Sequence, residues 1–141
     1  MSYDWKHYLN FSEMLFRAPI SCGDGAVPVT SYRVILSRVY YAAFHVAQNF
    51  LIVHRLPMPE SGAEHEKVIR AFKQMVKKDT AFQTECKKIG EKLRRLKIAR
   101  VDADYETEYI PTNAFVRMQI KDSQQIVACL AQLEDVYFSK K

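Results

Sequence analysis

The sequence has few of the residues that interrupt regular structure. Only four glycines and five prolines occur among its 141 residues, and they cluster in a few places. The stretches between them are long enough for helices, whereas a β-sandwich needs frequent turns. With 48% hydrophobic residues, a chain of this length can bury one core. We therefore predict a single all-α domain that covers residues 1–141.

The sequence also lacks paired cysteines and long apolar runs. Cys22, Cys86 and Cys129 are widely separated and form no CxxC pair, so we expect free thiols in a reducing compartment. No run of about 18 apolar residues occurs, and the N-terminus has no export signal. These absences predict a cytoplasmic protein that does not enter a membrane. We also expect that it uses no metal and no cofactor.

Positive charge is concentrated in one segment. The chain has a net charge of +5, and residues 77–100 hold nine Lys and Arg against Asp79, Glu85 and Glu91. Such a segment attracts the phosphate backbone of a nucleic acid. A solvated helix face would have the same composition, because Lys and Arg are ordinary exposed helix residues.

Three breaks, together with the start of a further helix near Asp79 and Thr80, divide the chain into five predicted helices. The breaks are APISCGDGAVP, LPMPESG and DADYETEYIPT, at residues 18–28, 56–62 and 102–112. Between them, apolar residues recur every three or four positions, which is typical of helices with one buried face. The predicted helices cover residues 1–17, 29–54, 62–77, 79–101 and 112–138. We expect an up-down antiparallel bundle of four or five helices, with 29–54 at its centre and 1–17 as a lid.

Two helix starts carry capping signals. Thr80 and Gln83 have the spacing of a capping box. Thr112 or Asn113, directly after Pro111, can cap the first turn of the last helix.

Arg100 stands at a position that the periodicity reserves for an apolar residue. The stripe of the fourth helix continues by four residues onto it, after Phe82, Cys86, Ile89, Leu93 and Leu96. The guanidinium should therefore point into the bundle or across an interface. A buried arginine needs acceptors, because its desolvation costs several kcal/mol. Asp102 and Asp104 are the nearest acceptors in the sequence.

Polar residues also interrupt the second and third helices. His65 lies one turn before Ile69 on the apolar stripe of the third helix, a position where a lone histidine is often half-buried at a helix start. On the central helix, one arc of about 120° holds polar and aromatic side chains but no Lys or Glu, namely Ser37, Arg38, Tyr41, His45, Gln48 and Asn49. This face is expected to meet another helix, another subunit or a ligand.

These residues define a candidate site. Together they offer the cations and hydrogen-bond donors that a phosphate or a nucleotide requires, from Arg38, Tyr41, His45, His65, Arg100 and Tyr105. A purely structural polar network would use the same residue types.

Three blocks of sequence resemble the HEPN family (higher eukaryotes and prokaryotes nucleotide-binding). They are SRVYYAAFHVA, GAEHEKVIRAF and ARVDADYE, at residues 37–47, 62–72 and 99–106. Their order and spacing are similar to the family's over residues 30–136. The resemblance implies an up-down helical bundle, usually a homodimer, often encoded beside a minimal nucleotidyltransferase as the toxin of a toxin-antitoxin pair.

Many HEPN proteins are metal-independent ribonucleases, and the resemblance implies where their motif would lie. In those members an arginine stabilises charge on the phosphate, and a histidine, separated from it by four to six residues, assists attack by the RNA 2′-hydroxyl. Arg100 matches the arginine, but Tyr105 stands five residues on and no histidine follows. A tyrosine, with a reference pKa of about 10, is a poor base at neutral pH. His65 or His45 would have to replace the missing residue.

The sequence leaves three functions open. The first is a HEPN-like module that binds a nucleotide, an RNA or a nucleotidyltransferase partner, with Arg38, Tyr41, Asp102 and Asp104 around Arg100. The second is an endoribonuclease toxin with a rearranged site, in which the catalytic residues are drawn from Arg100, His65, His45 and Tyr105. The third is an interaction protein that uses the polar face of the central helix as a homodimer seam.

Overall fold

The computed structural model describes residues 3–139, which form five helices and no strand. The helices are α1 (Lys6–Arg17), α2 (Val29–Val53), α3 (Glu64–Lys73), α4 (Thr80–Tyr105) and α5 (Asn113–Tyr137). The predicted all-α bundle is therefore confirmed. None of these helices is long and apolar enough to cross a membrane. Cys22, Cys86 and Cys129 are free thiols.

The core forms around α2, which contacts each of the other four helices. Many of its apolar side chains, including Ile35, Leu36 and Val39, are fully buried. Burying a side chain of this size contributes about 1.5–3 kcal/mol relative to leaving it in water. α1 lies across α2 and α5. The candidate site residues on α2 therefore lie on the helix that the other four helices hold in place.

α4 extends further than the sequence predicts. The predicted break at residue 102 is wrong for residues 102–105, which continue the helix to Tyr105. The end of α4 and the chain after it are held from α2, because Arg33 Nε donates to Ala103 O at 2.7 Å and Nη1 donates to Tyr109 O at 3.2 Å. Arg33 Nη2 also donates to Glu106 O. A side chain 70 residues away in the sequence thereby caps the helix.

α3 is shorter than the predicted helix over residues 62–77. It ends at Lys73, and Val76, which continues the apolar spacing of Ile69 and Phe72, is 73% exposed. The backbone of Lys78 is left-handed, with φ of 62°, and this turns the chain into α4. The Thr80 capping box is also wrong: Asp79 is the N-cap, and its Oδ1 accepts from Phe82 N at 2.9 Å. A carboxylate at this position also interacts favourably with the positive end of the helix dipole.

The start of α5 follows its prediction. Thr112 is the N-cap, and its Oγ1 accepts from Phe115 N at 3.1 Å. Thr112, rather than Asn113, is therefore the capping residue. The Asn113 side chain instead donates to Tyr32 Oη at 2.7 Å.

Candidate functional site

Arg100 points into the bundle, as its place on the apolar stripe of α4 predicts. The residue is only 9% exposed. Its guanidinium carbon lies 5.6 Å from the ring centre of Tyr40 and 5.3 Å from that of Tyr41, both on α2. These distances place the cation against two aromatic rings, an arrangement that stabilises a partly desolvated guanidinium.

The polar contacts of Arg100 are incomplete. Nη1 lies 3.7 Å from Asp104 Oδ2, which is beyond hydrogen-bond distance. Nε is buried and has no hydrogen-bond partner among residues 3–139. A guanidinium carries several donors in a fixed plane that matches a carboxylate or a phosphate. Arg100 therefore retains the capacity to hold an anion.

His65 lies in the first turn of α3 beside this guanidinium. Its Nδ1 is 2.6 Å from Tyr40 Oη, and its ring stacks on Phe44 with centroids 4.2 Å apart. Burial lowers the pKa of His65 below its ordinary 6.5, and the positive charges of Arg100 and Lys97 lower the pKa further. The imidazole is thus neutral at neutral pH.

The contact between Tyr40 and His65 admits two proton arrangements. Burial raises the pKa of Tyr40, so its hydroxyl keeps its proton at neutral pH. If that hydroxyl donates to His65 Nδ1, then Nε2 carries the ring proton and is a donor. If Nδ1 donates to Tyr40 Oη, then Nε2 is free to accept a proton. The first arrangement suits anion binding and the second suits general-base catalysis.

Arg38 supplies a second cation beside the first. Its guanidinium carbon lies 5.1 Å from the ring centre of Tyr41, so that Arg38 and Arg100 contact the same ring. Arg38 Nη2 donates to Ser37 Oγ at 3.1 Å, and Ser37 Oγ donates to Asp104 Oδ2 at 3.4 Å. We call these residues the Arg100 cluster: Ser37, Arg38, Tyr40, Tyr41, His65, Arg100 and Asp104.

The Arg100 cluster borders an open cleft. Ser37, Arg38 and Asp104 line a cavity of about 510 Å³ between α2 and the end of α4. The Asp104 side chain is 30% exposed there. A ligand can therefore reach the edge of the cluster from solvent.

Two of the predicted site residues lie elsewhere. Tyr105 is 71% exposed, and the charge of Asp102 acts on Tyr109, whose pKa it helps to raise. Because α4 continues as a helix, at about 100° per residue Tyr105 and Asp102 lie about 140° and 160° around the axis from Arg100. Asp104, one turn after Arg100, is the carboxylate that faces it. Within the chain, Tyr105 and Asp102 therefore lie on another side of α4 from Arg100.

His45 lies at the margin of the cluster. Its ring stacks on Trp5 with centroids 3.7 Å apart, and the centroid of Tyr41 is 6.1 Å away. Burial lowers the pKa of His45 below 6.5. His65, rather than His45, is therefore the imidazole beside Arg100.

Sequence reasoning missed Tyr40 and Phe44. Both belong to the buried side of α2, and Tyr40 is fully buried. The available signal was the hydroxyl of Tyr40, which on an apolar helix face needs a polar partner. That partner is His65, 25 residues later.

The basic segment at residues 77–100 is partly neutralised within the chain. Glu66 of α3 pairs with Arg94 and, at 3.2 Å, with Lys97. Asp122 of α5 lies 3.6 Å from Arg95. These pairs favour the reading of the segment as an ordinary helix surface. Arg38 and Arg100, the cations of the Arg100 cluster, take no part in these three ion pairs.

The described residues contain no group of three or more His, Cys, Asp or Glu side chains placed to hold a metal ion. No protein-family profile matches the chain, and neither curated proteins nor solved structures give a match. The function is therefore inferred from the geometry of the Arg100 cluster.

Proposed function

We propose that this chain is a HEPN-like module that binds RNA or a nucleotide by its phosphate at the Arg100 cluster. The observation that carries the proposal is the buried Arg100 guanidinium, whose Nε has no partner among the described residues. Incomplete pairing of a buried charge costs several kcal/mol. Proteins retain such costs where function requires them.

The surroundings of Arg100 fit a phosphate in three respects. Arg38 adds a second positive charge against the same Tyr41 ring. His65 Nε2 adds a neutral donor when Tyr40 donates to Nδ1. Asp104 Oδ2 lies 3.7 Å from Arg100 Nη1, too far for a hydrogen bond. A phosphate that makes two parallel hydrogen bonds with the guanidinium therefore competes with Asp104 effectively.

The binding of a labelled single-stranded RNA, followed by fluorescence anisotropy at low salt, tests this proposal. Arg38→Gln and Arg100→Lys are compared with Arg17→Gln, which removes an exposed arginine at the end of α1. Losing a charged hydrogen bond weakens binding about ten-fold or more, so both cluster variants should lose at least that much. Arg17→Gln should stay within about two-fold of the wild type, because distant surface charges are screened. Undiminished binding by Arg38→Gln, or no binding by the folded wild type, contradicts the proposal.

A second function, metal-independent endoribonuclease activity, is favoured by the neutral His65 beside Arg100. In this reaction His65 Nε2 takes the proton of the 2′-hydroxyl, the 2′-oxygen bonds to phosphorus, and the bond to the 5′-oxygen breaks. Arg100 stabilises the negative charge on the phosphate, and the leaving oxygen receives a proton from the imidazolium. Cleavage should leave 2′,3′-cyclic ends and fall about a hundred-fold or more in His65→Asn. Intact RNA after incubation with the wild type leaves only binding.

We also propose that two copies associate through α4. Ile98, Val101 and Tyr105 share one exposed face of this helix, with exposures of 57%, 39% and 71%, and such a face commonly marks a protein contact. The polar face of α2 is a weaker candidate, because Tyr8, Trp5 and His65 of the same chain already contact it. Light scattering should give twice the chain mass for the wild type and the single mass for Ile98→Glu. A nucleotidyltransferase partner stays a prediction of the resemblance.

A further inference from the structure

A second cavity lies next to the Arg100 cluster, and the proposed phosphate contact does not use it. It measures about 460 Å³ and runs between the start of α1, the second half of α2 and α5. Volumes of about 300–1,000 Å³ are typical of small-ligand sites. We call this cavity the Trp5 groove.

The Trp5 groove has an aromatic wall, an apolar floor and an amide rim. Trp5 and His45 form the wall, and they stack on each other with an interplanar angle of 18°, so that each ring has at most one face left for a ligand. Phe50 and Leu130, which are buried, form part of the floor. Gln48 and Asn49 place side-chain amides at the groove. An amide carries both donors and acceptors, so this rim can read a flat ligand with a polar edge.

The charge of the groove argues against a phosphate inside it. Its lining includes the carboxylates Asp4 and Glu134 against a single cation, Lys6. A phosphate would be repelled there, whereas the exocyclic amine of a base would find acceptors. The anionic part of a ligand belongs on the side of Arg38 and Arg100.

The groove and the cluster are continuous through aromatic contacts. Tyr8 lies between them: its ring centre is 5.2 Å from that of Trp5 and 5.2 Å from the Arg38 guanidinium carbon. His45 forms a second link, since its ring stacks on Trp5 and faces Tyr41 of the cluster. One ligand can therefore occupy both places.

We infer that the Trp5 groove binds the base of the RNA or nucleotide whose phosphate lies at the Arg100 cluster. This inference rests on the proposed function, to which it adds a second point of contact. A base offers a flat π-surface to an aromatic wall, and such stacking tolerates any base. The Asn49 amide then contacts its polar edge, because Gln48 Nε2 already donates to Glu64 Oε1 at 3.1 Å.

Trp5 is the only tryptophan of the chain, so its fluorescence reports on the groove directly. The wild type is titrated with the four nucleoside 5′-monophosphates and, separately, with inorganic phosphate. We expect a nucleotide to quench Trp5 fluorescence at saturation, and inorganic phosphate to bind without quenching. The nucleotide should also bind about ten-fold or more tightly than inorganic phosphate, because it adds a stacked base.

Asn49→Ala tests the rim, with Asn10→Ala on the exposed surface of α1 as its matched control. Asn49→Ala should weaken nucleotide binding about five-fold or more and leave phosphate binding unchanged, because only the contact with the base is lost. Asn10→Ala should change neither. If inorganic phosphate binds and no nucleotide quenches Trp5 or binds more tightly, the groove inference is wrong and the phosphate site stands. If neither phosphate nor nucleotide binds, the proposed function itself has failed.

Discussion

We expect Arg100 to contribute little to the stability of the fold unless a ligand completes its contacts. Its Nε is buried without a partner among the described residues, and its carboxylate neighbour is 3.7 Å away. Apolar residues of similar volume often replace buried charges without loss of stability. The change in stability when Arg100 is replaced by an apolar residue therefore distinguishes a functional arginine from one that stabilises the bundle.

Arg100→Met should therefore leave the free energy of unfolding unchanged or raise it by up to about 2 kcal/mol, while phosphate binding is lost. Urea denaturation measures the first quantity and RNA anisotropy the second. Leu96→Ala, at a fully buried position one turn earlier, should cost about 2–5 kcal/mol and serves as the reference for a core residue. If Arg100→Met loses more than about 1 kcal/mol, the arginine belongs to a structural network.

The hydroxyl of Tyr40 controls the protonation of His65. In the binding arrangement it donates to Nδ1 of the neutral imidazole, which favours the uncharged ring. Tyr40→Phe should therefore raise the pKa of His65 and cost about 1 kcal/mol of unfolding free energy. Nitrogen NMR of the imidazole should show the ring proton on Nε2 in the wild type.

Tyr137→Phe is the matched control for Tyr40→Phe. It removes an exposed hydrogen bond to Asp79 Oδ1, 2.8 Å long, far from His65 in the sequence. The pKa of His65 should stay unchanged in this variant. A wild-type His65 that carries its proton on Nδ1 would speak for the general-base arrangement and the ribonuclease.

At the scale of elements, Arg33 fixes the end of α4 and with it Asp104. Arg33→Ala removes its hydrogen bonds to the carbonyls of Ala103, Glu106 and Tyr109. Each such bond contributes about 0.5–1.5 kcal/mol, so we expect a loss of about 1.5–4.5 kcal/mol and faster hydrogen exchange at residues 103–109. Arg95→Ala breaks an exposed ion pair with Asp122 and should cost less than about 1 kcal/mol. Unchanged exchange at residues 103–109 in Arg33→Ala contradicts the role of Arg33 as a cap.

The position of α3, and hence of His65, depends on Gly90. A Cβ at this residue of α4 would lie 2.6 Å from Lys73 Cγ, 3.0 Å from Lys73 N and 3.2 Å from Ile69 O. Replacing a helical glycine by alanine normally stabilises by about 1 kcal/mol. Here α3 must move, so Gly90→Ala should instead lose about 1–3 kcal/mol in urea denaturation.

Movement of α3 would also separate His65 from Tyr40, so Gly90→Ala should weaken RNA binding as well. Thr84→Ala, on the exposed surface of the same helix, should leave both stability and binding near those of the wild type. A Gly90→Ala protein more stable than the wild type would show that α3 is not held at this distance.

For the whole molecule, the sequence predicts the bundle because apolar spacing reports directly on which face of each helix is buried. It also predicts that Arg100 points inward, since four residues beyond Leu96 the stripe returns to the core. The sequence does not predict the end of α4, because the capping side chain, Arg33, comes from another helix. No pattern near residue 105 indicates that Arg33 will cap the helix. The same extension turns Tyr105 and Asp102 away from the site.

Which helices meet was harder to predict than where they lie. The contact of Tyr40 with His65 joins α2 to α3, and periodicity along one helix carries no information about its neighbour. From the sequence alone, Tyr40 is therefore indistinguishable from an apolar core residue, and His65 from a histidine without a specific partner. The stacking of His45 on Trp5 likewise depends on how α1 crosses α2.

The pKa of His65, followed by NMR in the free protein and in the presence of a saturating nucleotide, tests the phosphate site most directly. In the free protein, burial and the charge of Arg100 should hold this pKa below 6.5. A bound phosphate offsets the Arg100 charge and favours the imidazolium, so the pKa of His65 should rise. A nucleotide that binds without changing the pKa of His65 lies elsewhere on the molecule, and the Arg100 cluster is then not its site.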